Sequence, residues 1–151
     1  MYDVIVIGCG GVGSAALYHL ADRGARVLGI DQFAPGHDRG SSHGQTRVIR
    51  HAYIEHPDYV PLLKRAYELW AELERRQSHR LYHPSGVLEI GPTDGEVVTG
   101  VLRRAREHDL VVEELAAAEV HRRFAGFRMP VGFAAVFELL AVFLNVEDCV
   151  L

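Results

Sequence analysis

Gly8, Gly10 and Gly13 stand as G-x-G-x-x-G directly after the apolar run Val4-Ile5-Val6-Ile7, with Asp31 eighteen residues past the last glycine. In a strand-turn-helix setting, the first glycine permits a tight turn. The second lets the backbone approach a pyrophosphate, and the third allows close helix-strand packing. Phosphates would then rest on the helix N-terminus, and a carboxylate at Asp31 would accept hydrogen bonds from an adenosine ribose. An acid at that position disfavours a 2′-phosphate and hence NADP. The motif by itself leaves NAD and FAD open.

A second group lies in Ser41-Ser42-His43-Gly44-Gln45-Thr46-Arg47-Val48-Ile49-Arg50-His51-Ala52-Tyr53, which carries two arginines, two histidines and several hydroxyls without an acid. Such a segment calls for an anionic partner. If extended, residues three apart point to opposite faces, so Arg47 and Arg50 can serve different ligands. A guanidinium fork grips a carboxylate through two parallel hydrogen bonds, which fixes orientation as well as charge.

The elements that must position these groups read as strand, helix, strand at the start of the chain. Val4 to Ile7 suits a central parallel strand buried on both faces. Ser14 to Arg23 is helical and stopped by Gly24, and Arg26 to Ile30 forms the second strand. Residues 32 to 56 read as a long functional loop or irregular crossing. Asp58 to Arg76 predicts a helix with Leu62, Ala66, Leu69 and Leu73 as its core stripe. Tyr82 to Ile90 reads as one strand. Thr93 to Glu96 has the form of a capping box for a helix running to His108. Leu110 to Leu115 follows as a strand and Ala117 to Phe124 as a short helix. Phe133 to Leu144 fits either a strand pair or a helix, and Val146 to Leu151 reads as the start of a helix.

Composition supports this folded reading. The 151 residues are 48% apolar and 24% charged, enough for a buried core. The net charge of -4 argues against nucleic-acid binding, which needs a basic face. The N-terminus lacks the basic region of a signal peptide. The longest apolar run, Val131 to Leu144, is interrupted by Glu138 and is shorter than the roughly 20 residues that cross a bilayer. A cytoplasmic, non-membrane protein is therefore expected. The two cysteines, Cys9 and Cys149, fit neither a disulfide framework nor a zinc set, and the intervals among His37, His43, His51 and His56 match no metal motif. No metal is expected.

The glycine motif, Asp31 and above all Gly40 to Tyr53 make the chain resemble the monomeric sarcosine oxidase and N-methyltryptophan oxidase family, flavoenzymes of the D-amino-acid-oxidase-like superfamily. Tyr59-Val60-Pro61-Leu62, Leu69-Trp70, Ser85-Gly86-Val87 and Val136-Phe137-Glu138 extend the match. The resemblance implies an α/β fold: the N-terminal part of an FAD-binding Rossmann-like, doubly wound domain with the beginning of an α+β substrate domain. It divides the chain into residues 1–82 for FAD, 83–144 for the first substrate-domain segment, and 145–151 for an incomplete helix returning to the FAD domain. It implies that Gly8, Gly10, Gly11, Gly13, Asp31 and Gln32 hold the ADP half of FAD. Ser42, His43, Thr46 and Arg47 would lie along the flavin, and Arg50 would grip the substrate carboxylate. The implied reaction is oxidation of an N-methyl amino acid to an imine, with oxygen reduced to hydrogen peroxide. Two other readings stay open: a noncatalytic truncated fragment, and an NAD-dependent dehydrogenase on the same strand-helix-strand unit.

Some residues depart from the family pattern. Leu17 stands where alanine or glycine is usual, and Leu139-Leu140-Ala141 replace a proline-glycine turn. The family's flavin-attachment cysteine and its lysine partner for the carboxylate belong to a distal part beyond these residues. Cys9, inside the glycine turn, reads as a packing residue.

Overall fold

The computed structural model of the chain describes residues 1–78 and 80–151. Its elements are β1 (Val4–Ile7), α1 (Gly11–Asp22), β2 (Val27–Ile30), β3 (Thr46–Ile49), α2 (Tyr59–Arg76), β4 (Tyr82–Pro84), β5 (Val87–Pro92), α3 (Glu96–His108), β6 (Val112–Leu115), α4 (Ala117–Arg123), β7 (Phe133–Glu138) and β8 (Val142–Asn145). They form two compact units, Met1–Arg47 with Leu144–Leu151, and Val48–Phe143. The sequence-based division expected a boundary after residue 82. The compact units instead group α2 and β4 with the strands that follow them.

In the first unit, β1 and β2 pair in parallel, Val4 opposite Val27 through Ile7 opposite Ile30. Parallel strands need a crossover, and α1 supplies it. The helix ends as Gly24 enters the left-handed region at φ 84°. The Gly24 N–H then donates to the Ala21 carbonyl and the Ala25 N–H to the Leu20 carbonyl, closing the last turn. Leu17 finds room because Gly29 has no side chain: a Cβ there would lie 2.6 Å from Leu17 Cδ1 and 2.8 Å from Cys9 Sγ. Leu17 and Cys9 are thus packing residues over one position of β2. Burial of β1 on both faces does not hold, because Ile5 is 55% and Ile7 86% exposed. An unbroken apolar strand encodes two faces that can be covered, and α1 covers one. Residues 146–150 form turns with a helical bond from the Cys149 N–H to the Asn145 carbonyl, not an established helix.

In the second unit, β5, β7 and β6 form an antiparallel sheet with β7 central. Alternate β7 side chains point to opposite faces, and each face has its own core. Val136 packs with Val98 and Val101 of α3 and with Ala52. Ala135 and Phe137 pack with Val120 of α4 and with Leu115. Glu138 falls on the Val136 face by the same alternation.

Four further expectations are corrected. Residues 32–56 contain β3, so that stretch is not wholly irregular. The single strand predicted over 82–90 is broken at Gly86, φ 65°, where the Ser85 and Gly86 N–H groups both donate to the Ala141 carbonyl. The Thr93 capping box does not form: its hydroxyl donates to the Gly132 carbonyl, and Gly95 takes the N-cap. The α2 stripe is not a buried core, since Leu62 is 66% exposed and Val60 is the buried residue of that helix. Ala66, Leu69 and Leu73 are half-buried, and polar contacts add to their packing. The Tyr67 hydroxyl donates to the Ile49 carbonyl, and Glu74 accepts from the Leu81 and Tyr82 N–H groups. The Phe133–Leu144 ambiguity resolves as two strands in different sheets, β7 beside β5 and β6, and β8 beside β4. No helix among the described residues is long and apolar enough to cross a membrane.

Candidate functional site

The glycine turn is built by backbone geometry. Gly8 sits at φ 92°, a conformation that side chains disfavour, and its N–H donates to the Ile30 carbonyl across the paired strands. Gly13 is forced by space, because a Cβ there would lie 1.8 Å from the Gly8 carbonyl oxygen. The third glycine of the motif therefore does the packing work predicted for it.

Gly10 is different. It holds an ordinary extended conformation as the N-cap of α1, and a Cβ on it would meet only Ser42 Oγ at 3.5 Å. Neither the backbone nor protein packing requires glycine there. The space a side chain would fill opens onto a cleft of about 510 Å³ lined by Gly8, Gly10, Asp31, Gln32 and Ser42.

Asp31 faces that cleft while closing the turn. Its Oδ2 accepts the Cys9 N–H at 2.7 Å and its Oδ1 the Phe33 N–H at 3.1 Å, with His37 Nε2 3.4 Å from Oδ1. The bond from Cys9, then that from Phe33, hold its carboxyl below the ordinary value. Ser42 Oγ accepts the Gly11 N–H at 2.9 Å, so a serine from the basic segment caps the first turn of α1.

The remaining cofactor candidates lie elsewhere in this unit. His43 Nδ1 bonds the Gly40 carbonyl. The Gly44 N–H beside it donates to Glu147 Oε1 at 2.9 Å, which ties the segment to the chain's last residues. Thr46 and Arg47 open β3 and are exposed. The Arg47 guanidinium is held by carbonyl oxygens, Ser41 at 2.6 Å and Thr46 at 3.0 Å, and by no carboxylate among the described residues. His43, Thr46 and Arg47 do not line the cleft.

Arg50 belongs to the second unit. Its Nε lies 3.1 Å from Glu89 Oε1, and its guanidinium stands 4.9 Å from the centre of the Tyr53 ring. The approach to Glu89 is an ion pair without hydrogen-bond geometry, and both Arg50 Nε and Glu89 Oε2 are buried without a hydrogen-bond partner. The next residues are clamped by Glu138, only 1% exposed. Its Oε1 accepts the His51 N–H at 2.6 Å and lies 3.1 Å from His51 Nδ1, and its Oε2 accepts the Ala52 N–H at 2.9 Å. The His51 ring stacks on Tyr67, centres 3.9 Å apart.

The two carboxylates are tuned oppositely. Burial, aggravated by Glu138 and Glu55, pushes Glu89 up against the pull of Arg50. Burial also acts to raise Glu138, but the hydrogen bonds from His51 and Ala52 outweigh it and hold the group below the ordinary carboxylate value. Burial and the charge of Glu138 push the Tyr67 phenol up.

Sequence reasoning missed Glu89 and Glu138 as neighbours of the arginine segment. The only available signal for each was an acid on an otherwise apolar strand, in Val87-Leu88-Glu89-Ile90 and Val136-Phe137-Glu138. Among the described residues, no three His, Cys, Asp or Glu side chains gather as a metal site.

Residues 3–147 match the FAD dependent oxidoreductase family. The chain is 48% identical over 149 residues to monomeric sarcosine oxidase of Streptomyces avermitilis, covering 99% of this chain and 39% of that protein. It is 42% identical over 146 residues to N-methyl-L-tryptophan oxidase of Yersinia pestis, covering 97% of this chain and again 39% of the relative. A solved structure of NikD, an unusual amino acid oxidase essential for nikkomycin biosynthesis, superposes with a TM-score of 0.87 at 30% identity over 99% of this chain and 39% of NikD. The chain thus spans about two fifths of the length of these relatives, and its fold is that of the N-terminal portion of FAD-binding amino acid oxidases. Turn, cleft and sequence agree that the chain belongs to the FAD-dependent oxidoreductase family.

Proposed function

We propose that this chain supplies the ADP-binding turn and the substrate-orienting arginine of an FAD-dependent oxidase acting on N-methyl amino acids. The observation that carries the cofactor half is Gly10, a glycine that neither backbone nor packing explains, at the mouth of a cleft shared with Asp31, Gln32 and Ser42. Gly8 and Gly13 hold the turn, and the α1 N-terminus presents its backbone N–H groups to the pyrophosphate. Asp31 spends one lone pair per oxygen on the turn. An ionised carboxylate has about four acceptor sites, so capacity remains for the ribose hydroxyls. Residues 1–82 serve FAD in this reading, with His43, Thr46 and Arg47 reserved for the flavin half, and 83–144 begin the substrate domain.

Arg50 orients the substrate through its carboxylate, so that the N-methyl carbon is presented for oxidation; positioning is the contribution such a residue makes. When bound, FAD would supply the electron acceptor for this oxidation, with oxygen as the final acceptor and hydrogen peroxide as its product, and the imine would hydrolyse in water. Relatives named for sarcosine and N-methyl-L-tryptophan support this substrate class.

Calorimetric titration with ADP tests the cofactor half. Gly10→Ala is expected to retain the unfolding midpoint and to weaken ADP at least about tenfold, or 1.4 kcal/mol. Equal ADP affinity in the variant would remove Gly10 from the site.

A further inference from the structure

Arg50 and Glu89 form a pair that leaves both partners incompletely bonded. The guanidinium carries five N–H donors. Its Nε lies 3.1 Å from Glu89 Oε1 without hydrogen-bond geometry and has no hydrogen-bond partner among the described residues. Glu89, 11% exposed at its side chain, keeps Oε2 without a partner. An ionised carboxylate in that state is costly, because burial removes water without supplying the bonds that replace it. Such a pair is poised for exchange.

We propose that Glu89 is an internal counter-ion that holds Arg50 until a ligand carboxylate replaces it, and that the exchange takes up one solvent proton at Glu89. The inference rests on the reading of Arg50 as a carboxylate grip. Two carboxylates competing for one guanidinium cannot both stay ionised cheaply. The other charges around Glu89 sharpen this. Glu55 from the segment after Arg50 and Glu138 at the end of β7 both act on it unfavourably. Glu138 is committed to His51 and Ala52 by three contacts, and α3 brings the apolar Val98 and Val101 to the same sheet face. The proton therefore goes to Glu89, whose carboxyl burial already favours the neutral form.

The test is binding of acetate, a carboxylate that does not react, to the flavin-loaded protein. Flavin absorbance is followed from pH 6 to 9, and calorimetry in buffers of different ionisation enthalpy counts the protons taken up. In the wild type, one proton is expected per acetate, with affinity falling about tenfold per pH unit above the Glu89 pKa. Glu89→Gln should abolish the uptake, flatten the profile and bind acetate more tightly at pH 8, whereas Glu55→Gln should keep the uptake. If Glu89→Gln retains the wild-type slope while Arg50→Ala loses acetate, the counter-ion role is overturned and the arginine reading stands. If Arg50→Ala binds acetate as the wild type does, both fall.

Discussion

The glycine turn and the surroundings of Arg50 solve opposite problems. At the turn, polar groups are matched one to one: Gly8 to Ile30, Cys9 to Asp31, Gly11 to Ser42. Around Arg50, charges from distant parts of the sequence are brought together and left partly unmatched, with Glu89 under-bonded and Glu138 bonded through both oxygens. A dinucleotide site can be rigid because its ligand is resident and its recognition is by backbone. In the proposed role of Arg50 a substrate-orienting group must exchange partners, and an incomplete ion pair exchanges more readily than a complete one.

The largest effect that sharpens this contrast is expected at Gly13. In Gly13→Ala the new Cβ meets the backbone oxygen of Gly8, and no flexible side chain can yield. A loss of about 4 kcal/mol is expected, at the upper end for single substitutions. Urea unfolding of the chain would check it. A loss below about 1 kcal/mol would show that α1 shifts freely on β1 and that the turn is no rigid device.

Next comes Glu138→Gln. The amide keeps one acceptor but turns an NH₂ group toward backbone N–H donors, and leaving a buried N–H unmatched costs about 2 kcal/mol. The pH dependence has a definite sign. Glu138 titrates lower in the folded chain than its ordinary value of 4.5, so its stabilisation is present above that value and lost as pH falls through the lowered one. The gap in unfolding free energy between wild type and variant should be full at pH 7 and close progressively below pH 4.5. A gap independent of pH would mean that the carboxylate charge contributes nothing to the clamp.

The same contrast explains what could be read from the sequence. Gly8, Gly13 and Gly24 act through local backbone rules, so their roles were visible in spacing alone, and the parallel strand-helix-strand unit followed. The Leu62 stripe and the run Val4 to Ile7 were equally clear as patterns, but a pattern states that a face can be buried, not what buries it. Arg50, Glu89 and Glu138 meet through the register of β5 against β7 and the course of the segment after β3, and neither leaves a local signature. The Thr93 box failed for a related reason. Its hydroxyl found Gly132, far along the chain, in place of the helix N-terminus beside it.

Ser42 gives the smallest and most discriminating effect, because its side chain reaches the turn from the basic segment and bonds it through one exposed hydrogen bond. Its hydroxyl takes a helix N-terminal N–H of the kind that binds phosphate oxygens. Ser42→Ala in the cofactor-free chain is expected to cost about 0.5 kcal/mol, since the bond is exposed and water can replace it. With saturating ADP the variant and the wild type should differ less in unfolding free energy, because a phosphate oxygen can take the vacated Gly11 N–H. A loss above about 2 kcal/mol would move the turn into the same class as the Glu138 clamp, where one side chain holds the backbone, and would erase the distinction between the two regions.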